Sequence, residues 1–291
     1  MKKQDLVKST EGFPLIGWAV HWSAIGFTLP FAEFIKRLDK SDINSNIARE
    51  TLPKNAFLRA VRTSAKGKTT FSRKVKDGDG EAASVILEES ITSDLDYGVD
   101  QQSTIVFDKL ARDVTVTGKN QGEIKDSFEK FKQDYTAQQF RTVVLRFVKR
   151  HCSGYMMKDG GGLYFIPASR EYELNKLIKL FDLMGDGCEL GMIPIVDTQL
   201  ARKSMWQSFT VQTKSEIQKL KDDLSELPGE IKESSLELRL KKYQTLKTKV
   251  EMFEILLEGT AKDMKKELAD LTKTIKAKVL EEDKAPVKAK K

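Results

Sequence analysis

The stretch LELRLKKYQTLKTKVEMFEILL, residues 236–257, decides how the C-terminal third of this chain folds. Its apolar residues recur at intervals of three and four, from Leu236 through Tyr243 to Leu257. Sustained spacing of this kind is typical of a helix that packs along a coiled-coil seam. The stretch therefore predicts a long amphipathic helix that serves packing and contact rather than chemistry.

The same spacing precedes and follows this helix. The preceding pattern ends at Pro228-Gly229, a pair that breaks helices, and Gly259 can end the second helix before a third begins. If Gly259 is instead tolerated inside a helix, at a cost of about 1 kcal/mol, the second and third helices fuse. The matched lengths of the first two favour an antiparallel helical hairpin, so we expect residues 198–282 to form a three-helix coiled-coil arm. Pairing of this arm with itself or with another chain stays open.

The N-terminal part has a different period. After an aromatic-rich opening and a helix that starts near Pro53, the apolar period changes to two from Thr69 onwards. The acidic Gly-containing segment 77–80 fits a hairpin turn, and two further strands follow before residue 118. We therefore expect residues 1–118 to form an α+β domain with a small antiparallel sheet.

The middle of the chain, residues 119–197, combines two short helices with a hairpin. Thr136 and Gln139 have the spacing of a capping box, which places the start of the second helix there. The turn around Gly160-Gly161-Gly162 follows and joins two apolar segments. Helix, turn, helix and hairpin is the order of parts in a winged helix, a module that binds nucleic acid or protein.

The segment GGLYFIP, residues 161–167, resembles one found in a family of uncharacterised bacterial and phage proteins that carry a similar G-G-x-Y-F-x-P sequence. The resemblance covers residues 120–200 and rests on this one motif. It implies a phage or prokaryotic mobile-element context and implies no particular activity.

The net charge of +7 on 291 residues is distributed unevenly. The last eight residues supply +4, and we expect the tail 283–291 to be disordered. Within the body, residues 49–76 carry a net +8 and residues 77–113 a net −8. Folding can either pair these neighbouring blocks or present them as separate faces, and the two outcomes are open alternatives.

Clustered Lys and Arg side chains are what a protein needs to neutralise phosphates. One candidate cluster lies on the helix that begins near Pro53 and the segment after it, and a second lies on the helix before the glycine turn and at that turn. The candidate nucleic-acid-binding residues are Arg59, Arg62, Lys66, Arg141, Arg146, Lys149, Arg150 and Lys158. Internal ion pairing is the alternative for the first cluster, and a flexible turn is the alternative for the glycines.

Residues for catalysis or metal binding are sparse. Two histidines and two cysteines dispersed along the chain make a structural zinc site improbable, and two such cysteines fit reduced thiols. Acidic residues such as Asp94 and Asp96 can in principle gather Mg²⁺, but a solvated acidic face is the better interpretation. We expect no cofactor, no metal and no enzymatic activity, with a metal-dependent nuclease as a distant alternative.

The sequence as a whole favours a non-enzymatic, nucleic-acid-associated protein with an arm for assembly or docking. Its partners would be DNA or RNA, together with another protein bound through residues 198–282. The runner-up is a pure interaction or scaffold protein, such as the partner of an ATPase, without nucleic-acid contact. No apolar run reaches the length of a membrane span, so a cytoplasmic location is expected.

Overall fold

The computed structural model describes residues 14–65, 70–78, 80–93, 96–158, 160–225 and 233–282. Over these residues the chain has the predicted α+β class, with small antiparallel sheets and long C-terminal helices. The chain divides into two compact units. We call them the meander unit, from Ala24–Val143 and Asp182–Cys188, and the arm unit, from Met1–Ser23, Val144–Phe181 and Glu189–Lys291.

The strands, in chain order, are β1 (Leu15–Ala24), β2 (Thr28–Pro30), β3 (Thr70–Asp77), β4 (Glu81–Ser93), β5 (Asp96–Asp108), β6 (Asp113–Gly118), β7 (Asp134–Thr136), β8 (Tyr155–Met156), β9 (Tyr164–Pro167) and β10 (Cys188–Val196). The helices are α1 (Phe31–Lys40), α2 (Pro53–Ser64), α3 (Gln121–Gln133), α4 (Ala137–Arg150), α5 (Glu171–Met184), α6 (Gln199–Ser225), α7 (Glu233–Leu256) and α8 (Lys262–Glu282). Short 3-10 turns span Ser45–Ile47 and Ala168–Arg170.

The meander unit is built on the antiparallel sheet β3-β4-β5-β6, which confirms the sheet predicted from the period-two pattern. The predicted hairpin turn is also confirmed, because the Gly78 amide donates to the Glu81 carbonyl at 2.9 Å. Helices α2 and α3 contribute buried residues to the same core as the sheet. Phe107 lies between the rings of Phe57 and Phe128, at centroid distances of 5.5 and 6.3 Å.

The start of α4 follows the predicted capping box. The Thr136 amide donates to the Gln139 side-chain oxygen at 3.0 Å, which satisfies a backbone group before the first helical turn. The Gln139 amide group donates in turn to the Thr51 hydroxyl at 2.6 Å. A local cap thereby also joins two segments that are far apart in sequence.

The arm unit contains the second sheet, in the order β10-β1-β9-β8. The predicted hairpin is present as β8 and β9, with Tyr155 opposite Phe165. The other edge of β9 pairs antiparallel with β1, so this hairpin is part of a sheet. Gly17 is required in β1, because a Cβ there would lie 2.2 Å from the Ile166 carbonyl oxygen.

Helices α6, α7 and α8 pack against one another, so the arm pairs with itself and the third helix folds back. Their shared core includes Phe209, Val250 and Leu268, all at most 2% exposed. The core continues into the sheet, since the Phe253 ring lies 5.0 Å from Tyr155 and 6.1 Å from Phe165. The base of the arm is therefore anchored on the β8–β9 hairpin.

Gly259 follows the end of α7, as predicted, but the residue in the left-handed conformation is Glu258 and not the glycine. Glu258 takes the positive φ of 51°, and the Gly259 amide donates to the Glu254 carbonyl at 3.1 Å. This is the hydrogen-bond pattern of a Schellman motif. A Cβ on residue 259 would lie 2.2 Å from the Trp206 ring, so close packing is what requires glycine here.

Some predicted features are divided between the two units or lie outside the described residues. The residues predicted as a winged-helix-like domain, 119–197, are divided between the two units, and the predicted domain boundaries stay a prediction. The Pro228-Gly229 turn and the tail 283–291 lie outside the described residues. Within the part of the chain that is described, no helix has both the length and the apolar character needed to cross a membrane.

Candidate functional site

A cluster of basic side chains lies where α4 ends. Lys149 and Arg150 are exposed in the last turn of the helix. The chain then turns sharply at Ser153, which has a φ of 53°, and the Gly154 amide donates to the Val148 carbonyl at 2.8 Å. A Cβ on residue 154 would lie 2.5 Å from a Val148 methyl group, so glycine permits this tight return.

Helix α7 supplies the facing side of this site. Its lining residues recur at intervals of one and three to four, so they share a broad face of the helix. They are Gln244, Thr245, Thr248, Lys249 and Met252. The Lys249 ammonium donates to the Gly154 carbonyl at 2.9 Å, which connects α7 to the turn after α4.

Arg170 completes the site. It is the last residue of the 3-10 turn Ala168–Arg170, immediately before α5, and its side chain is exposed. Together the three segments line a half-open cavity of about 340 Å³, which we call the basic cavity. Its four cations are Lys149, Arg150, Arg170 and Lys249, and its described lining includes no carboxylate.

Three of these cations have no ion-pair or hydrogen-bond partner among the residues that the structure describes. Among the described residues, Lys149, Arg150 and Arg170 have neither an ion pair nor a hydrogen bond from their side chains. Cations that share a small volume without a counter-ion repel each other. The basic cavity is therefore a region of positive potential that an anion would stabilise.

Lys249 differs from the other three because it is half-buried. Burial is the main reason that the pKa of its ammonium group is lowered to about 8; Glu216 on α6 opposes this shift, and the nearby Lys149 cation adds to it. A bound anion would favour the charged form of Lys249 by the same Coulomb interaction.

Helix capping explains only part of this arrangement. Lys149 and Arg150 lie at the C-terminal end of α4, where cations stabilise the negative end of the helix dipole. Arg170 precedes the N-terminal end of α5, where a cation is unfavourable, and Lys249 lies within α7. The helix dipole therefore accounts for Lys149 and Arg150, and Lys249 has its hydrogen bond to the Gly154 carbonyl, so Arg170 is the cation without a structural role among the described residues.

The candidate residues of the meander unit are placed differently. Arg59 is half-buried and donates to the Gln139 side-chain oxygen at 3.0 Å. Arg141 donates to the Ala24 carbonyl, and Arg62 is exposed on α2. Lys66 lies outside the described residues. Arg59 and Arg141 thus have structural hydrogen bonds of their own.

The remaining candidates belong to the arm unit. Arg146 is half-buried one turn before Lys149 and Arg150, and Lys158 is exposed near the tip of the β8–β9 hairpin. Only Lys149 and Arg150 of the predicted set line the basic cavity. Arg170 and Lys249 were not predicted from the sequence, because no local motif connects a residue before α5 or in the arm with the end of α4. Nucleic-acid binding by all of the predicted residues stays a prediction.

The opposite charge blocks of the meander unit do pair at one position. Asp77 accepts ion pairs from Lys54, Lys74 and Lys109, with shortest distances of 3.3, 2.8 and 2.9 Å. Hydrogen bonds from these lysines hold the pKa of Asp77 well below its usual range, and the bond from Lys74 has the largest effect. Internal pairing, one of the two alternatives for these blocks, therefore applies at Asp77.

The two cysteine thiols are placed away from solvent. Cys152 and Cys188 are both free and buried. Burial raises the pKa of the Cys152 thiol to about 12, so it is a poor nucleophile at neutral pH. Among the residues whose positions are described, no three His, Cys, Asp or Glu side chains group together as metal ligands would.

Comparison with known proteins gives a family but no function. A family model described as a family of unknown function matches residues 15–286. The chain therefore belongs to an uncharacterised family, as expected, while the bacterial or phage origin and the G-G-x-Y-F-x-P motif of that family stay predictions. No curated protein and no solved structure matches the chain.

Proposed function

We propose that this chain, which belongs to the family of unknown function DUF6744, is a non-enzymatic protein that binds nucleic acid. The phosphate groups of the nucleic acid would be held in the basic cavity. The observation that carries this proposal is that Lys149, Arg150 and Arg170, which have no partner among the described residues, line one small volume. Clustered Lys and Arg side chains neutralise the charges of phosphate groups.

The chemistry of the lining fits phosphate oxygens. Arginine presents a planar fork of donors that binds two phosphate oxygens at once, and lysine adds a compact positive charge. Ser153 and Thr248 add hydroxyl groups, and Gln244 adds an amide. Contacts of this kind hold the backbone of a strand and are largely independent of base sequence.

Several finer expectations accompany this proposal. Arg146 and Lys158 would extend the contact surface along α4 and towards the glycine turn, in the manner of a winged helix. A phage or other prokaryotic origin and a cytoplasmic location are compatible with a nucleic-acid partner. The alternative role, a scaffold or ATPase partner that docks through residues 198–282, requires no phosphate contact, so the two roles predict different binding data.

The test is a titration of labelled single-stranded and duplex DNA and RNA with the full chain at about 50 and 200 mM salt. We expect binding that weakens steeply with salt. The double substitution Lys149→Gln and Arg150→Gln should reduce affinity by about tenfold or more and lower the slope of log K against log salt by about 2.

The matched control is Lys203→Gln with Lys219→Gln, which removes the same net charge from exposed positions of α6 outside the cavity. Its affinity should stay within about threefold of the unmodified chain. Equal losses in the two double variants would show that binding follows net charge alone and would refute a role for the cavity. Absence of binding to any nucleic acid at low salt would refute the proposed function and favour the scaffold role.

A further inference from the structure

The basic cavity has more positive charge than one internal phosphate of a strand can neutralise. An internal phosphodiester carries one negative charge, whereas a terminal phosphate monoester carries about two at neutral pH. Four cations line the cavity, and its described lining includes no carboxylate. The charge of the site is therefore better matched by a compact dianion.

The size of the cavity matches a single nucleotide. Its volume of about 340 Å³ lies near the lower limit of the range, roughly 300–1,000 Å³, that is typical of small-molecule sites. The end of α4, the turn at Arg170 and the face of α7 surround it. A group of about the size of one nucleotide fits such a volume.

The neutral groups of the lining match a monoester as well. A monoester has three terminal oxygens that accept hydrogen bonds, one more than an internal diester has free. The hydroxyls of Ser153 and Thr248 and the Gln244 amide can donate to them. The Thr245 hydroxyl donates to the Lys241 carbonyl at 2.9 Å, so it contributes only an acceptor.

We infer, on the premise that the chain binds nucleic acid as proposed above, that the basic cavity recognises the terminal phosphate of a nucleic-acid strand. Arg170 and Arg150 would hold the phosphate oxygens, and Lys249 would approach from the half-buried side. Met252, which is half-buried in the same lining, would contact the apolar part of the terminal nucleotide.

The test uses the full chain and three oligonucleotides of one sequence, about eight nucleotides long, with a 5′-phosphate, a 3′-phosphate or hydroxyls at both ends. Fluorescence anisotropy from an internal label reports affinity at one salt concentration. We expect one phosphorylated form to bind about tenfold or more tightly than the hydroxyl form. Arg170→Gln should abolish that advantage, because it should weaken binding of the phosphorylated form about tenfold more than binding of the hydroxyl form, whereas Lys203→Gln should preserve the advantage.

The outcomes separate this inference from the proposed function. Equal affinity for all three oligonucleotides, with binding still lost on substitution of Lys149 and Arg150, would overturn terminal recognition while supporting nucleic-acid binding. No binding of any oligonucleotide would overturn both. Tighter binding of a phosphoserine peptide than of either phosphorylated oligonucleotide would also overturn the inference, because the monoester would then come from a protein.

Discussion

The two units of this protein use clusters of cations in opposite ways. In the meander unit, Lys54, Lys74 and Lys109 converge on Asp77, and each cation has a carboxylate partner. In the arm unit, the cations of the basic cavity share a volume whose described lining includes no carboxylate. Similar residue types thus stabilise a hairpin in one place and form a cluster of positive charge in the other, and the difference is the position of the nearest acid.

The largest expected effect concerns the support of the cavity. Phe253 is fully buried, with the Phe209 ring centroid 4.6 Å away, and it follows the cavity residue Met252. Phe253→Ala should lower the free energy of unfolding by about 3–5 kcal/mol, because it leaves a space in the core of the arm. It should also weaken nucleic-acid binding by the folded protein, since the α7 side of the cavity loses its support.

Phe107→Ala is the matched control in the meander unit, where the ring is 3% exposed between Phe57 and Phe128. It should cost a similar free energy of unfolding, about 3–5 kcal/mol, without a change in nucleic-acid affinity. Urea unfolding and anisotropy titration measure the two quantities. If both variants lose affinity equally, the cavity depends on global stability and the contrast between the units fails.

The second prediction concerns pH. The pKa of Lys249 is about 8, so its positive charge is present below that pH and is lost as the pH rises through it. Lys149 and Glu216 are the charged groups that influence it most. Oligonucleotide affinity should therefore fall by about three- to tenfold between about pH 7 and 9.

Lys249→Met removes the titrating group while keeping much of the side-chain volume, and it should flatten this pH profile. Lys219→Met, at an exposed position of α6, should leave the profile unchanged. An unaltered profile in Lys249→Met would show that another group causes the pH dependence.

The smallest expected effect comes from making the meander unit resemble the arm unit. Asp77→Asn removes the carboxylate that pairs with the three lysines, so low-salt affinity for nucleic acid should rise by about two- to threefold. The measurement is a titration at about 50 mM salt, repeated at about 200 mM, where the gain should disappear. An unchanged low-salt affinity would show that unpaired cations alone do not create binding.

Stability provides a control for the same variant. The pKa of Asp77 is depressed in the folded protein, so its pairing stabilises the fold above the unfolded-state pKa of about 3.9. This stabilisation is lost as the pH falls from about 4 through the lower folded-state pKa. The melting temperature of Asp77→Asn should therefore lie below that of the unmodified chain at neutral pH, and the difference should shrink in acid.

Much of the fold was predictable because its signals are local. The period-two pattern after Thr69 gave the meander sheet, and Thr136 with Gln139 gave the start of α4. The glycine turn gave the β8–β9 hairpin, but its pairing with β1 was not predicted. Strand pairing between distant segments leaves no periodic signal in either segment, so local patterns do not reveal it.

The candidate site was predictable only in part, for the same reason. Lys149 and Arg150 are neighbours on a recognisable basic helix, whereas the Lys249 ammonium reaches the carbonyl of Gly154 across 95 positions of sequence. Arg59 and Arg141 have the same charge and similar local patterns, yet they form internal hydrogen bonds. Charge in a sequence shows where cations are, and the distances between side chains decide which of them have partners.

By itself, the sequence determined the α+β class, the meander sheet and the helices of the arm, because hydrophobic periodicity and turn residues act over a few positions. Only the tertiary structure decided that the arm pairs with itself, that its base covers the β8–β9 hairpin and that Arg170 and Lys249 join the end of α4. These outcomes depend on which distant surfaces exclude water together and which charges are left unpaired afterwards, and both are properties of the packed chain.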